Sequence, residues 1–493
     1  MHRHINLCVL LVVSFGCSAA KATSPVHSPQ TDPLAEVVSG LRKAYGASAL
    51  RGLKTVTIKS DRRLAWPGQG STAGFVEFAT DRLYKHFDLQ RKWGSVERWI
   101  HQSGNVYHDR QVLNGSGAYR VDYGEMTVAE TESRGFDYDF AGDFRLSDTL
   151  LAMRIADGTA PTQFLGTQHF MGRAHAVLEV ELAPEREPLR VFVDGELGLI
   201  HRVEIERSMG TVNLVFDGHT EQDGLRFATE NRAYLGDILV EYENNLKMSF
   251  NTPVDAEIAV EPLGAPRPMF DTSKMSVQRL ADDVYLVGQE DYSLFVEHEG
   301  HFIIVSTYPG VAERAAALES NLGRELSFSF AVVTHHHDNQ LEGIKGAIAL
   351  GAKIAATAET EKKLKKNSQV TADDLLILKD GSQLGPLSVW VKPTGHAIEN
   401  AFVFHRASGV LFQDDHYHAL HRDHGTRAQP TAIALHGYLE RSSNPVRLLV
   451  SGHAGKAERW EVFEAQVEKA KRAPWCPSGR KICLDVRGRG DSG

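Results

Sequence analysis

At 493 residues the chain is longer than one hydrophobic core ordinarily serves, which predicts two folded domains. Its 42% hydrophobic and 24% charged residues are those of a globular protein and not of a disordered one. A net charge of −9, with no basic run, argues against a nucleic-acid surface and against a polyanionic partner.

Residues 1–22 read as an export signal. Arg3 supplies a positive start, residues 7–15 a short apolar core, and "AKA" at Ala20 to Ala22 a small-x-small cleavage site. The apolar run is too short to span a bilayer. Cys17, after Gly16, opens the alternative of lipoprotein processing, although Ser14 and Phe15 stand where an aliphatic and a small residue are usual. Both routes place the mature chain in the periplasm or cell envelope, soluble or lipid-anchored.

Residues 32–250 predict a β-rich N-terminal domain. A helix is expected over 32–46, where Leu34, Val37, Val38 and Leu41 are helically spaced. From Leu53 onward the pattern is mainly period two, interrupted by one expected helix near 146–155. This describes a largely antiparallel sheet with one covered face. His86, His101, His108 and His169 are scattered without ligand spacing, and no catalytic motif appears.

Residues 251–274, with four prolines and no periodicity, read as a linker. From 275 to 471 short apolar strands alternate with helical segments, the order of mixed sheets with helices on their faces. The tail, 472–493, carries Cys476 and Cys483 in "WCPSGRKIC". In an exported chain a disulfide is the expected use of that pair, with metal ligation the alternative.

The chemistry concentrates in the second domain. "VVTHHHDNQLEG" delivers His335 and His337 from the end of an apolar strand, with His336 facing the other way if the segment stays extended. His396 follows "KPTG", Asp415 follows "VLFQD", and His453 follows "RLLVSG". Each is among the first polar groups after a buried strand, so all five are expected at one edge of the sheets.

That order resembles the metallo-β-lactamase superfamily, whose signature T-H-x-H-x-D-H is occupied here by "THHHDNQ". The resemblance implies an αββα sandwich of two sheets between helices. It puts His335, His337 and His396 on the first metal site, Asp415 on the metal-bridging acid and His453 on the last histidine. Asn339 stands where the family has Asp, Gln340 where it has His, Glu342 in place of the first Gly, and Ser306 where an Asp ends the second strand. Three neutral imidazoles still hold Zn²⁺ with a water whose pKa falls to about 7. The second site loses a carboxylate and gains amide oxygens, which are poor zinc ligands. Asp338 is expected to point away from the metals. His416 and His418 are either partners of Asp415 or surface residues, and His421 and His424 are assigned to the surface.

The reading is an exported, zinc-dependent hydrolase with one metal, attacking an ester-like small molecule, with Asp415 as the candidate catalytic acid. The superfamily handles esters, lactones, thioesters, sulfate and phosphate esters and β-lactams, and fold does not choose among them. The rival reading is an envelope protein that kept the fold and lost catalysis. Its N-terminal hairpin "VFVDGELGLIHRVEIE" is similar to those of periplasmic lipoprotein carriers, and on that view the β domain binds a lipid or lipoprotein. A third reading, several weak metal sites on the His-rich loops, is distinguished by stoichiometry.

Overall fold

The structure is a computed structural model and describes residues 32–207, 210–266, 271–366, 370–418, 428–442, 445–472 and 482. Cys17, Cys476, Cys483, His421 and His424, and with them the export signal and the disulfide, lie outside the described residues.

The period-two region becomes a thirteen-stranded sheet in which every pairing is antiparallel. Thr55–Trp66 and Ile238–Phe250 join its two flanks. One flank runs out through Trp93–Gln102 and Asn105–Asn114, the other through Ile200–Ile205, Leu189–Asp194 and Arg173–Val180. The helices Pro33–Ala44 and Asp148–Ala156 cover one face. Leu41, Leu150 and Leu151 pack there with Val56, Ile58 and Phe87, so burial of apolar area holds helix to sheet. Asp32 and Ser147 cap the two helices by accepting from backbone N–H groups of their first turns. Two short helices beside them, Phe136–Asp139 and Ala141–Phe144, had no signal in the period-two reading.

The proline-rich 251–266 stretch is packed. Val254 and Ile258 are buried with Val112, Val121 and Tyr123, and the Arg110 guanidinium donates to the carbonyls of Glu257 (3.0 Å) and Ala259 (2.6 Å). Prolines removed its periodicity without making it a free tether.

Ser276 to Arg472 form two sheets between helices. The seven-stranded sheet is antiparallel through His301–Val305 and parallel through Phe328–Val333, Lys353–Thr357 and Leu375–Leu378. Its strands are buried on both faces, which explains runs such as "FAVV". Ala331 and Val333 face the helices Val311–Leu322 and Ile344–Ala349, while Val332 faces the second sheet. That six-stranded sheet meets the first through Val389, Val403, Val410 and Phe412. On its far side Phe402, Phe404 and Leu411 receive the helices Pro430–Leu439 and Trp460–Arg472. The layers are therefore helix, sheet, sheet, helix. No described helix is long and apolar enough to cross a membrane.

Candidate metal centre

Four strand ends meet at one edge of the sandwich. Phe328–Val333 runs directly into Thr334 to His337, and His337 precedes the short helix Asp338–Glu342. His396 sits between Leu387–Lys392 and Asn400–His405, Asp415 follows Val410–Phe412, and His453 follows Leu448–Ser451. Buried strands cannot carry unpaired charge, so the first polar side chains appear where the strands stop.

His335, His337, His396 and Asp415 each offer one ligand atom, and these atoms lie within 4.8 Å of one another. All four residues are buried. His335 Nε2 is 3.2 Å from His396 Nε2, and Asp415 Oδ2 is 3.2 and 3.1 Å from those two nitrogens. Zinc–nitrogen bonds of 2.0–2.1 Å set tetrahedral ligands ~3.3 Å apart, so this spacing suits zinc. The tautomers fit as well. His337 Nε2 lies 3.1 Å from the carbonyl oxygen of Gly70 and must donate to it, which leaves Nδ1 as a bare donor atom. That Nδ1 is buried and has no hydrogen-bond partner among the described residues. Burial, with His396 and His335 beside it, holds the His337 ring well below its ordinary pKa and therefore neutral. Without a cation, burial disfavours protonated His335, yet hydrogen bonds to Asp414 and Asp415 raise it to about 9. The pocket is built for positive charge. Its residues fit a divalent ion.

The second-site positions hold something else. Tyr308, in "STYPG", directs its hydroxyl to Asp414 Oδ1 (2.9 Å), Asp415 Oδ1 (3.1 Å) and His453 Nε2 (2.8 Å). Asp415 thus turns one oxygen to the first-site imidazoles and the other to His453 and Tyr308. His453 Nδ1 meets Asp291 Oδ1 at 2.9 Å. Burial works against the imidazolium of His453, but Asp415 and Asp291 raise its pKa well above the ordinary value. Burial, then Asp414 and Asp415, hold the Tyr308 phenol well above its ordinary pKa, so it stays a neutral donor. A hydroxyl and a cationic ring thus fill the space on the far side of Asp415.

Gln340 is committed elsewhere. Its amide donates to Asp414 Oδ2 (2.7 Å) and Ser306 Oγ (3.0 Å) and accepts from Thr307 N (3.2 Å). Asn339 lines the cavity, and its oxygen accepts from the Gln340 N–H at 3.0 Å. Asp338 points to Lys363 (2.6 Å). His416 is buried, not on the surface, and contacts Thr394 Oγ1 (2.9 Å) and the Gln413 carbonyl, so it supports the loop before His396 and not Asp415. His418 pairs with Ser451 Oγ at 2.7 Å. His336 does not point the other way from His337, because the chain leaves the strand after Val333 and turns into the helix Asp338–Glu342. It is buried and shares the Gly70 carbonyl with His337. Ser306 (φ 76°) and Asp414 (φ 55°) are both left-handed and buried, so backbone strain gathers at this centre.

The N-terminal sheet completes the site, which sequence patterning gave no reason to expect. Gly70 lies on the loop between the first two strands of that sheet, and neighbouring backbone groups of the loop bind the metallo region. Asp338 N donates to Gly68 O (3.2 Å) and Ile398 N to Ser71 O (2.8 Å). A cavity of about 480 Å³ is bounded by Gln102, Ser103 and Tyr107 of the sheet and by Asn339, His396 and Asp415.

No family model matches the chain, and no curated protein matches it. Solved metallo-β-lactamases do match in structure. One from Pontibacter korlensis is 16% identical, with 41% of this chain and 100% of that chain covered at a TM-score of 0.33. The DIM-1 enzyme is 22% identical over 40% and 97%, TM-score 0.32. FIM-1 from Pseudomonas aeruginosa, in its mono-zinc form, is 20% identical over 40% and 97%, TM-score 0.31. At these values the site stands on its own geometry. The layered sandwich carries histidines and an acid at its strand ends, and the thirteen-stranded sheet is separate from its two sheets.

Proposed function

We propose that the chain is a metallo-hydrolase holding a single zinc ion at His335, His337 and His396, with Asp415 beside them. The observation that carries this is the convergence of four buried ligand atoms next to a second-site position taken by the Tyr308 hydroxyl. Zinc bound there supplies Lewis-acid activation of water and of a substrate oxygen. The chain's own groups do the rest. Gly70 fixes the His337 ring through its carbonyl, and Asp414 accepts from the Thr334 hydroxyl. Asp415, held ionised against burial by His453, His335 and His396, is the group placed to orient a water at the reacting centre by accepting its hydrogen bond. The polar wall of Gln102, Ser103, Tyr107 and Asn339 suits a hydrogen-bonding ester-like substrate. Glu290, Asp291 and Asp415 also face the cavity, but the His453 imidazolium and a bound divalent ion offset their charge, so the lining does not select by substrate charge. The leader sequence and the cysteine pair support export and a Cys476–Cys483 disulfide.

The test is zinc bound at this centre, read as the difference between wild type and His335→Ala/His396→Ala, and turnover of a panel of esters, thioesters, lactones, and phosphate and sulfate esters. One zinc more than in His335→Ala/His396→Ala, and metal-dependent turnover that is absent from that variant, are expected. Metal-free protein that turns over nothing, with an acyl chain copurifying, would move the reading to the lipid-binding alternative.

A further inference from the structure

A second cluster, on the opposite flank of the thirteen-stranded sheet, is independent of the centre above. We propose that His175, Asp194 and His201 form a separate binding site for a divalent transition-metal cation. Three neighbouring strands supply them. His175 on Arg173–Val180 stands directly across from Asp194 on Leu189–Asp194, so both side chains share a face. His201 belongs to the next strand, Ile200–Ile205. There the register slips between Ile200 and Arg202, which makes His201 the extra residue of a bulge. A bulge re-aims a side chain, and this one brings His201 to the other two.

The donor atoms are presented as ligands. His175 is fully buried, and its Nδ1 lies 3.1 Å from the Arg173 carbonyl, to which it must donate. Its Nε2 is then a bare lone pair, 3.2 Å from His201 Nδ1. Asp194 Oδ1 is used by the turn, accepting from Glu196 N and Leu197 N at 2.8 Å each. Its Oδ2 remains, 3.5 Å from His201 Nδ1 and 3.9 Å from His175 Nε2. The His–His separation again matches the ~3.3 Å edge of a tetrahedral zinc site. Arg173 also reaches Asp194 Oδ2, at 3.1 Å, but its side chain is 45% exposed and free to swing into water. Burial, opposed by Asp194 and reinforced by His175, keeps the His201 ring below its ordinary pKa, the neutral state a ligand needs.

Two imidazoles and one carboxylate leave coordination positions open, and both rings face a groove of about 890 Å³ lined also by Phe170, Met171, His219 and Tyr234. Met171 is 78% exposed at its rim. The site is thus open to a small exogenous donor.

The experiment is zinc and cobalt stoichiometry by equilibrium dialysis on the full chain, as wild type, His201→Ala and His201→Cys, each checked for cooperative melting. A loss of one equivalent in His201→Ala, regained in His201→Cys, is expected. The result does not depend on whether the first centre loads, because the difference between variants is what is read. The same loss is expected in the His335→Ala/His396→Ala background. Equal stoichiometry in wild type and His201→Ala overturns the proposal and leaves His175 and His201 as a hydrogen-bonded pair.

Discussion

On the proposed reading, Tyr308 limits the centre to one metal. Its hydroxyl lies within hydrogen-bonding distance of Asp415 and of His453, the two side chains a second ion would need. Gly452 makes the room, since a Cβ there would run into the Tyr308 ring and the Asp414 carboxylate. Placing an acid and an imidazole beside the centre by Asn339→Asp with Gln340→His is therefore expected to leave this centre with one metal. The same pair combined with Tyr308→Ala is expected to reach two. A second zinc in the double variant with Tyr308 intact would sink this account. The double variant is also expected to be less stable by about 1–3 kcal/mol, because Gln340 leaves Asp414 and the Thr307 N–H without their buried partner. Thermal unfolding of the metal-free proteins checks that. Tyr308→Phe separates the hydroxyl from the ring: this centre keeps one metal, while stability falls by a similar ~1–3 kcal/mol.

At the scale of elements, backbone does what side-chain patterns cannot announce. The strand-end histidines and Asp415 were legible because each follows an apolar run, and buried strands bring such ends together. The layers were legible for the same reason, through strands apolar on both faces. Tyr308 was not, because an aromatic after a strand reads as core until its hydroxyl partners, more than a hundred residues away, are known. The Gly70 carbonyl had no signal at all, being a main-chain atom 267 residues from His337. The bulge at His201 broke the alternation on which strand facing was read. The loop's role is testable through its glycines. Gly68 has φ 77°, and a Cβ on it would collide with the Asp338 carboxylate; Gly74 has φ 82° and open space around it. Both substitutions to Ala strain the backbone alike, but Gly68→Ala also drives the Asp338 carboxylate from its Lys363 pair or, where that side chain holds, pushes the loop off the metal centre. Loss of a carbonyl that orients a ligating imidazole typically weakens metal binding about 10–100-fold. Gly68→Ala is expected to show such a loss in chelator competition, with Gly74→Ala near wild type. Equal losses in both would assign the effect to strain in the loop.

On the scale of the whole molecule, the two regions meet at the centre. Besides the Gly68–Ser71 contacts, the Trp93–Gln102/Asn105–Asn114 hairpin reaches over the site. Gly104 abuts Gly395, one residue before His396, so neither position has room for a Cβ. Thr431 Oγ1 donates to Asn105 Oδ1 at 2.7 Å, and Val106 N donates to Gln429 Oε1 at 3.2 Å. At the chain's far end Ile482 is buried against Trp99 of the same hairpin. An ion that fixes His337 and His396 consequently fixes their neighbours in the other region. A ligand that binds only the folded state stabilises it by RT ln(1 + [L]/Kd), about 4 kcal/mol at a thousandfold excess over Kd. Part of that stabilisation must pass into the N-terminal sheet. Hydrogen exchange on zinc-loaded and chelated protein is expected to slow on loading at 68–71 and 102–106, although neither segment supplies a ligand. The Arg173–Asp194 flank is expected to respond only at metal concentrations that fill its own cluster. Protection confined to 334–340, 394–397 and 413–416 would mean that the sheet rests beside the centre without being coupled to it, and that the 480 Å³ cavity forms whether or not the ion is bound.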